Sequence, residues 1–258
     1  MTEPHREGVV SGFLAHIVRA VRCWRADPRL PLTVFVIWVL ETVPYVVGRQ
    51  VDATGIGLAS SLVLLATLGF LGALRIWYLE IEAGRRMPGS EVYEASKRLW
   101  SRYFGLGVLA WVVILVPGVA FVVISRSLGE IPSRVGLFVM MYVVDVLLTF
   151  ATVVLALFDI TAGAAIQYSW QVTKAQWPAS ALYVLVAPLA LHLAFVAVPA
   201  TEMPLAVYLA VSLATAAFAL ACKGATVLFY ADRYLTHAAV APEPEPLPPP
   251  LPPPPPIN

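Results

Sequence analysis

The chain alternates between long apolar stretches and shorter segments that carry almost all of its charges. Six stretches each hold about 20 mostly apolar residues, the length that an α-helix needs to cross about 30 Å of hydrocarbon. They lie near 30–48, 55–78, 104–125, 135–158, 180–199 and 204–228. Lipid offers no partner for backbone N–H and C=O groups, so each stretch is predicted to be a helix. The short alternating segments of β-barrel strands are absent from the sequence.

Most basic residues lie on one side of these apolar stretches. Of the 17 Lys and Arg residues, all but Arg49, Arg126 and Arg134 lie at or beyond the ends that share a side with the N-terminus. Lys and Arg are enriched in cytoplasmic loops, so this side and both termini are predicted to be cytoplasmic. The connections on the outer side are short and leave no external domain for a large substrate. The predicted location is therefore the cell membrane, crossed several times.

Composition supports a membrane protein and excludes other classes. The 258 residues are 59% hydrophobic and 13% charged, with a mean hydropathy of +0.79, whereas about a quarter of the residues of a soluble domain are charged. The net charge of +1 provides no strong basic field for nucleic acid. Cys23 and Cys222 are far apart in sequence and form no disulfide framework or metal motif. Arg19, Arg22 and Arg25 interrupt the first apolar segment, which differs from a signal peptide.

An amphipathic segment precedes an outward span in each third of the chain. Its apolar positions recur at helical spacing. They are Val10, Phe13, Leu14, Ile17, Val21 and Trp24 in the first segment, Val92, Ala95, Leu99 and Tyr103 in the second, and Ile166, Trp170, Thr173 and Trp177 in the third. Such helices lie at the headgroup level. Anionic headgroups are expected to contact Arg19, Arg22, Arg25, Lys97, Arg98 and Arg102.

The predicted fold class is all-α: a polytopic membrane bundle of six transmembrane helices with three cytoplasmic interfacial amphipathic elbow helices, arranged as three elbow-plus-hairpin units. Residues 1–29 form the cytoplasmic N-terminal amphipathic segment, 30–230 the six-span membrane domain and 231–258 a cytoplasmic Pro-rich disordered tail. This tail holds half of the chain's 22 prolines and is expected to be extended. Its low complexity favours a stiff spacer; the alternative is a cytoplasmic partner with an aromatic-lined groove.

Three ionisable residues are predicted to lie near the bilayer midplane: Glu41, Asp145 and His192. Each lies about 10–12 residues from one end of its span, which places it within a few ångströms of the midplane at 1.5 Å rise per residue. Such residues are expensive in lipid and are candidates for a proton, cation or solute pathway. The alternative, which the absence of a motif favours, is that they are neutral or hydrogen-bonded structural partners.

Other polar and small residues within the spans have structural interpretations. Arg75 and Lys223 lie near inner span ends, where their side chains are expected to snorkel to the interface. Asp159 lies close to the same level and either pairs with such a basic residue or is solvated. His16 is expected to be solvated or interfacial. The small residues of GFLGAL (69–74) and ATAAFALACKGA (214–225) are predicted to let helices pack closely, with oligomerisation as the alternative.

The segment ALFDITAGAAIQYSWQVTKAQWP resembles a signature of bacterial and archaeal six-helix membrane proteins. The family includes the membrane domain of some glycerophosphoryl diester phosphodiesterases and many stand-alone proteins of unknown function. The matching positions are Asp159, Ala165, Ser169, Trp170, Thr173, Lys174 and Trp177. EVYEASKRLWSRYFGLGVL resembles the corresponding elbow before the third span. The resemblance implies the membrane domain alone, because this chain has no phosphodiesterase domain. The third elbow is therefore interpreted as an interfacial anchor.

Motifs of catalysis and cofactor binding are missing from the sequence, which contains no HExxH, GxSxG, P-loop, GxGxxG or CxxC. We therefore expect a non-enzymatic membrane protein without a cofactor or metal, which organises or senses the bilayer or acts as a scaffold. A transporter or channel subunit that uses Glu41, Asp145 and His192 is the first alternative. An accessory protein of lipid metabolism is the second, and only the resemblance suggests it.

Overall fold

The computed structural model describes residues 9–48, 53–126, 130–186 and 204–235. All regular structure within these ranges is helical, without a β-strand. The helices are α1 (Val9–Ala26), α2 (Arg29–Gly48), α3 (Ala53–Glu82), α4 (Gly89–Arg126), α5 (Glu130–Leu157), α6 (Ala162–Ala175), α7, whose described part is 181–186, and α8 (Leu205–Tyr230), which continues into a π-helical turn (Ala231–Leu235). The all-α prediction is confirmed for the described residues.

The boundaries of α1, α2, α5 and α6 follow local breaks in the sequence. Pro28 disfavours a helical conformation at Asp27 and separates α1 from α2. Thr161 caps α6, and its side chain accepts a hydrogen bond from the backbone N–H of Ala164 at 3.3 Å, the role in which Thr is favoured. The first and third amphipathic segments are therefore separate helices.

The second amphipathic segment departs from the prediction. It forms one continuous helix of 38 residues with the third apolar stretch. Between Gly89 and Tyr103 the sequence has no proline and no helix stop signal, so nothing separates the elbow from the span. The chain thus has a distinct elbow helix in the first and third units, and a continuous helical extension of the span in the second.

The described residues contain one helix with the length and composition of a membrane span, and a second candidate if a bent pair of helices is taken as one span. The helix is Leu205–Leu235, with a mean hydropathy of 2.2 in its most apolar window. The pair is Tyr142–Leu157 and Ala162–Ala175, which is bent by 119°. Buried core helices of soluble proteins pass the same test, so this finding alone does not establish six spans.

Small residues bring the helices into close contact, as the sequence predicts. A Cβ atom on Gly69 would lie 2.1 Å from the carbonyl oxygen of Ser96, so α3 and α4 touch at backbone distance. A Cβ atom on Gly224 of α8 would lie 2.6 Å from the ring of Tyr78 and 2.8 Å from the Cβ of Ala20. The glycines therefore act within the bundle, between α3 and α4 and among α1, α3 and α8.

Within the described residues, the end of the bundle that carries most of the charges also buries a group of aromatic side chains. We call this the charged end: α1, the connections 27–28 and 83–88, α6 and the turn Ala231–Leu235. Large aromatic side chains are buried beside it. They are Trp77, Tyr78, Phe150, Tyr183, Phe229 and Tyr230, each at most 5% exposed. The charged end is therefore a packed structure and contains the candidate site.

Candidate functional site

A group of four charged or ionisable side chains joins three separate parts of the chain at the charged end. Arg19 of α1 donates from Nε and Nη2 to Oε1 of Glu82, at 3.0 and 2.7 Å. Its Nη1 donates to Oδ2 of Asp232 at 2.5 Å. His16, one turn earlier on α1, places Nε2 3.0 Å from the same Asp232 oxygen. We call His16, Arg19, Glu82 and Asp232 the clasp, because it ties α1 to the end of α3 and to the turn after α8.

His16 extends the clasp into the aromatic core. Its Nδ1 lies 2.7 Å from the carbonyl oxygen of Gly12 and 2.8 Å from the hydroxyl of Tyr183. The Tyr183 ring stacks on Phe229 with centroids 4.4 Å apart. The side chain of His16 is only 14% exposed, so the expectation of a solvated histidine is wrong, whereas an interfacial position stays a prediction. His16 instead connects α1 to α7.

Asp27 forms a second polar centre between the α1–α2 and α3–α4 connections. Its carboxylate accepts hydrogen bonds from Nε and Nη2 of Arg29, at 2.8 and 2.5 Å, and from the indole N–H of Trp77 at 3.0 Å. Arg29 also donates to the carbonyl oxygen of Met87 at 3.0 Å. The hydrogen bonds from Arg29 outweigh the opposing effect of burial and, with that from Trp77, lower the pKa of Asp27. The carboxylate thus orients Arg29, whose hydrogen bond to the Met87 carbonyl joins the two connections.

The sequence predicts that the Arg75 side chain snorkels to the interface, but in the structure this side chain lies inside the bundle. It is 6% exposed and donates to the carbonyl oxygen of Leu71 and, at 2.7 Å, to the hydroxyl of Thr152. Its guanidinium carbon lies 5.5 Å from the centre of the Tyr103 ring, within the range of a cation–π contact. Arg75 therefore links α3, α4 and α5. Asp159 instead pairs with Arg102, which also donates to the carbonyl oxygen of Phe158.

The third elbow is anchored to α5 by its buried face. Ser169 is 2% exposed and donates to the carbonyl oxygen of Leu147 at 2.8 Å. Thr173 donates to the carbonyl oxygen of Ser169 at 2.9 Å, and its own carbonyl accepts from the Ser180 hydroxyl at 3.1 Å. The two polar residues of the signature thus fix the bend after α5 and the turn before α7.

The tryptophans of the same signature point away from the protein. Trp170 and Trp177 are 60% and 56% exposed, and Lys174 is also exposed. α6 ends at Ala175, so Trp177 lies in the following turn and does not share a helical face with Trp170. Pro178 lies in this turn too, before the first turn of α7. The elbow therefore has a protein-facing side and an exposed aromatic side.

Of the three predicted midplane residues, only Asp145 has a side chain within the part of the chain that the structure describes. Asp145 is half-buried in α5. Glu41 belongs to α2, but its side chain lies outside the described residues, and His192 lies outside them altogether. The shared polar site stays a prediction.

The basic residues that are expected to contact headgroups fall into two groups. Arg19 and Arg102 are engaged by carboxylates, and Lys97 lies 3.6 Å from Glu94. The remaining three, Arg22, Arg25 and Arg98, are exposed. In the ranges that the structure covers, no three His, Cys, Asp or Glu side chains are grouped as metal ligands.

Sequence reasoning missed the clasp and the position of Arg75, although weak signals exist. His16 and Arg19 are three residues apart and share a face of α1. Arg75 is the only charged residue between 53 and 79, which marks it as a candidate for an internal role. Neither signal names a partner, because Glu82, Asp232 and Thr152 are distant in sequence.

No family model, curated protein or solved structure matches the chain, and the resemblance of 156–178 to the six-helix membrane domain stays a prediction.

Proposed function

We propose that the chain is a six-span integral protein of the cell membrane, with both termini in the cytoplasm, which acts without catalysis as a membrane-organising, sensing or scaffold protein. The observation that carries the proposal is the concentration of ion pairs and exposed arginines at the charged end, together with exposed aliphatic side chains along the helices beyond it. The charged end contains the clasp, the Asp27 centre and most exposed arginines. Away from it, the described helices carry exposed aliphatic side chains.

The exposed aliphatic residues form continuous rows on several helices. On α2 they are Leu32, Val36 and Leu40, which are 60%, 49% and 50% exposed and are spaced by four residues. A similar row occurs on α5 (Val139, Val143 and Leu147), and α8 also exposes aliphatic side chains (Leu205, Val207 and Val211). Contiguous apolar surface of this kind is rare on soluble monomers and is the ordinary surface of a helix in lipid.

Two elbow helices have the surface of interfacial anchors. α1 buries Phe13, Ala20 and Cys23 in the protein and exposes Val10, Leu14 and Val18 on another face. Trp170 and Trp177 give the third elbow an exposed aromatic side, as in the aromatic belts of membrane proteins. Both features support helices that lie at the cytoplasmic headgroup level.

Cysteine labelling tests the topology. In a background with Cys23→Ala and Cys222→Ala, a membrane-impermeant maleimide is applied to Lys97→Cys or Ser133→Cys, in intact spheroplasts and in inside-out vesicles. We expect Lys97→Cys to react only in inside-out vesicles and Ser133→Cys only in spheroplasts. Labelling of both from the same side, or release of the protein by alkaline carbonate, would refute the proposal.

A flux assay tests the transporter alternative, in which Glu41 and the half-buried Asp145 would carry protons or cations. Proteoliposomes of the wild type and of the Glu41→Gln and Asp145→Asn variants are compared in a pH-jump flux assay. A membrane-organising protein is expected to give the same proton leak in all three as in empty liposomes. Flux in the wild type that the substitutions abolish would favour the transporter.

A further inference from the structure

An open cleft of about 480 Å³ lies at the charged end, between the connection that enters α2 and the one that enters α4. It is lined by 26–29 on one side and 86–88 on the other. Arg29, which is oriented by its hydrogen bonds to Asp27, joins the two sides by donating to the Met87 carbonyl. The cleft is therefore a fixed feature of the packed end.

The cleft has an excess of positive charge. Its single carboxylate, Asp27, is 4% exposed and already accepts from Trp77 and from the side chain and backbone N–H of Arg29. The Arg29 side chain is 47% exposed. Arg86 is exposed and makes no ion pair within the part of the chain that the structure describes. Two guanidinium groups beside one satisfied carboxylate suit an oxyanion. The planar guanidinium of Arg matches the oxygen geometry of a phosphate group in a bidentate contact.

An apolar row begins where the cleft ends. Leu32, Val36 and Leu40 follow Arg29 at intervals of three, four and four residues, so all four share one face of α2. All three apolar side chains are exposed. From Arg29 to Leu40 the helix rises about 16 Å, which is close to the thickness of one leaflet's hydrocarbon. A cationic cleft at the end of such a row matches the headgroup and the acyl chains of one lipid molecule.

We propose that the cleft binds the phosphate of an anionic phospholipid of the cytoplasmic leaflet, whose acyl chains lie along Leu32, Val36 and Leu40. The proposal rests on the membrane insertion proposed above. Arg86 supplies the unpaired charge, and Arg29 supplies the guanidinium that the protein already orients. The lipid thereby contacts both cytoplasmic connections and the first span.

Native mass spectrometry of the full chain in a neutral detergent tests the site. The bound fraction is titrated with phosphatidylglycerol, phosphatidylcholine or inorganic phosphate. Arg86→Gln is the test variant because its side chain is exposed and its loss leaves no buried group unpaired. Arg233→Gln is the matched control, since it removes the same charge from an exposed site outside the cleft. Gel filtration and helical circular dichroism verify the fold of each variant.

The wild type is expected to bind phosphatidylglycerol more tightly than phosphatidylcholine. Arg86→Gln should weaken phosphatidylglycerol binding about fivefold, the effect of about 1 kcal/mol per basic residue, and Arg233→Gln should leave it unchanged. Leu32→Asn should weaken the binding of phosphatidylglycerol but not the binding of inorganic phosphate. Equal losses in both arginine variants, no lipid preference, or binding of inorganic phosphate as tight as that of the lipid would overturn the proposal.

Alkaline carbonate extraction of the same variants separates this proposal from the one on which it rests. If the Arg86→Gln variant stays in the membrane and binds lipid as the wild type does, the lipid site is refuted and membrane insertion is not. Protein that carbonate releases refutes membrane insertion, and the lipid site with it.

Discussion

Gly69→Ala is expected to destabilise the bundle by forcing α3 and α4 apart. A Cβ atom on Gly69 would lie 2.1 Å from the carbonyl oxygen of Ser96 and 3.0 Å from its carbonyl carbon. Ordinary contacts between such atoms exceed about 3.4 Å, and the neighbour here is backbone, which no rotamer change can move aside. The two helices would therefore have to separate by about 1 Å along a closely packed interface.

The magnitude follows from two opposing effects. Overpacking of a close interface costs about 1–3 kcal/mol, and a backbone clash places this site near the upper value. Replacing Gly by Ala within a helix stabilises it by about 1 kcal/mol. The expected net loss is about 2 kcal/mol in the free energy of unfolding.

Gly107→Ala provides the matched control. Gly107 lies within α4, and a Cβ atom there would meet nothing within 4 Å. This variant receives the same gain in helix propensity without the clash and is expected to be as stable as the wild type or about 1 kcal/mol more stable. The difference between the two variants isolates the clash, at about 3 kcal/mol.

Unfolding of the purified protein from mixed micelles by sodium dodecyl sulfate, followed by tryptophan fluorescence and circular dichroism, measures these differences. A Gly69→Ala variant as stable as the wild type would refute the close approach of α3 and α4. Equal destabilisation by both substitutions would show that the cost is a general effect of alanine in these helices.

Three further predictions concern the charged end. Arg19→Ala should lower the free energy of unfolding by about 1–2 kcal/mol, because it removes hydrogen bonds to two partly buried carboxylates. The control Arg22→Ala, at an exposed position, should change the free energy of unfolding by less than about 0.5 kcal/mol. Equal losses in the two variants, measured by dodecyl sulfate unfolding, would contradict the clasp. The pKa of Asp27 is lower in the folded protein, so its stabilisation should be complete above the unfolded pKa of about 3.9 and be lost as the pH falls through the lower folded pKa. Melting temperatures between pH 7 and pH 3 should therefore fall less steeply for Asp27→Asn, and an identical slope would refute this linkage. The double substitution Trp170→Ala/Trp177→Ala should reduce the fraction of protein that resists carbonate extraction, whereas normal insertion with loss of a specific activity would replace the anchor by a binding role.

The helical elements could largely be predicted because their signals are local. The apolar stretches near 30–48 and 204–228 correspond to α2 and α8, and breaks at Pro28 and Thr161 separate the first and third elbows from the neighbouring helices. The second elbow was not separable in this way. Its amphipathic period continues into the apolar stretch without a break, and only the folded chain distinguishes a bend from one straight helix.

The sequence predicts that glycines lie at close contacts between helices, but it does not predict which residue lies opposite each glycine. Small residues in GFLGAL predict a close helix contact, yet several helices could have supplied the other side. That Gly69 meets Ser96, while Gly224 meets Tyr78 and Ala20, depends on how the helices are arranged around α3. Contacts between distant segments depend on the whole packing, which no local pattern contains.

The sequence alone determined that the chain is helical, apolar and charged mainly at one end of its helices, since periodicity, hydropathy and the positions of Lys and Arg are read locally. Only the tertiary structure decided which charges pair. It turned Arg75 inward to Thr152, joined Arg19 to Asp232, and left Arg86 beside an open cleft. The physical reason is that a hydrogen bond requires atoms within about 3 Å, and residues far apart in the chain reach that distance only after the helices have packed.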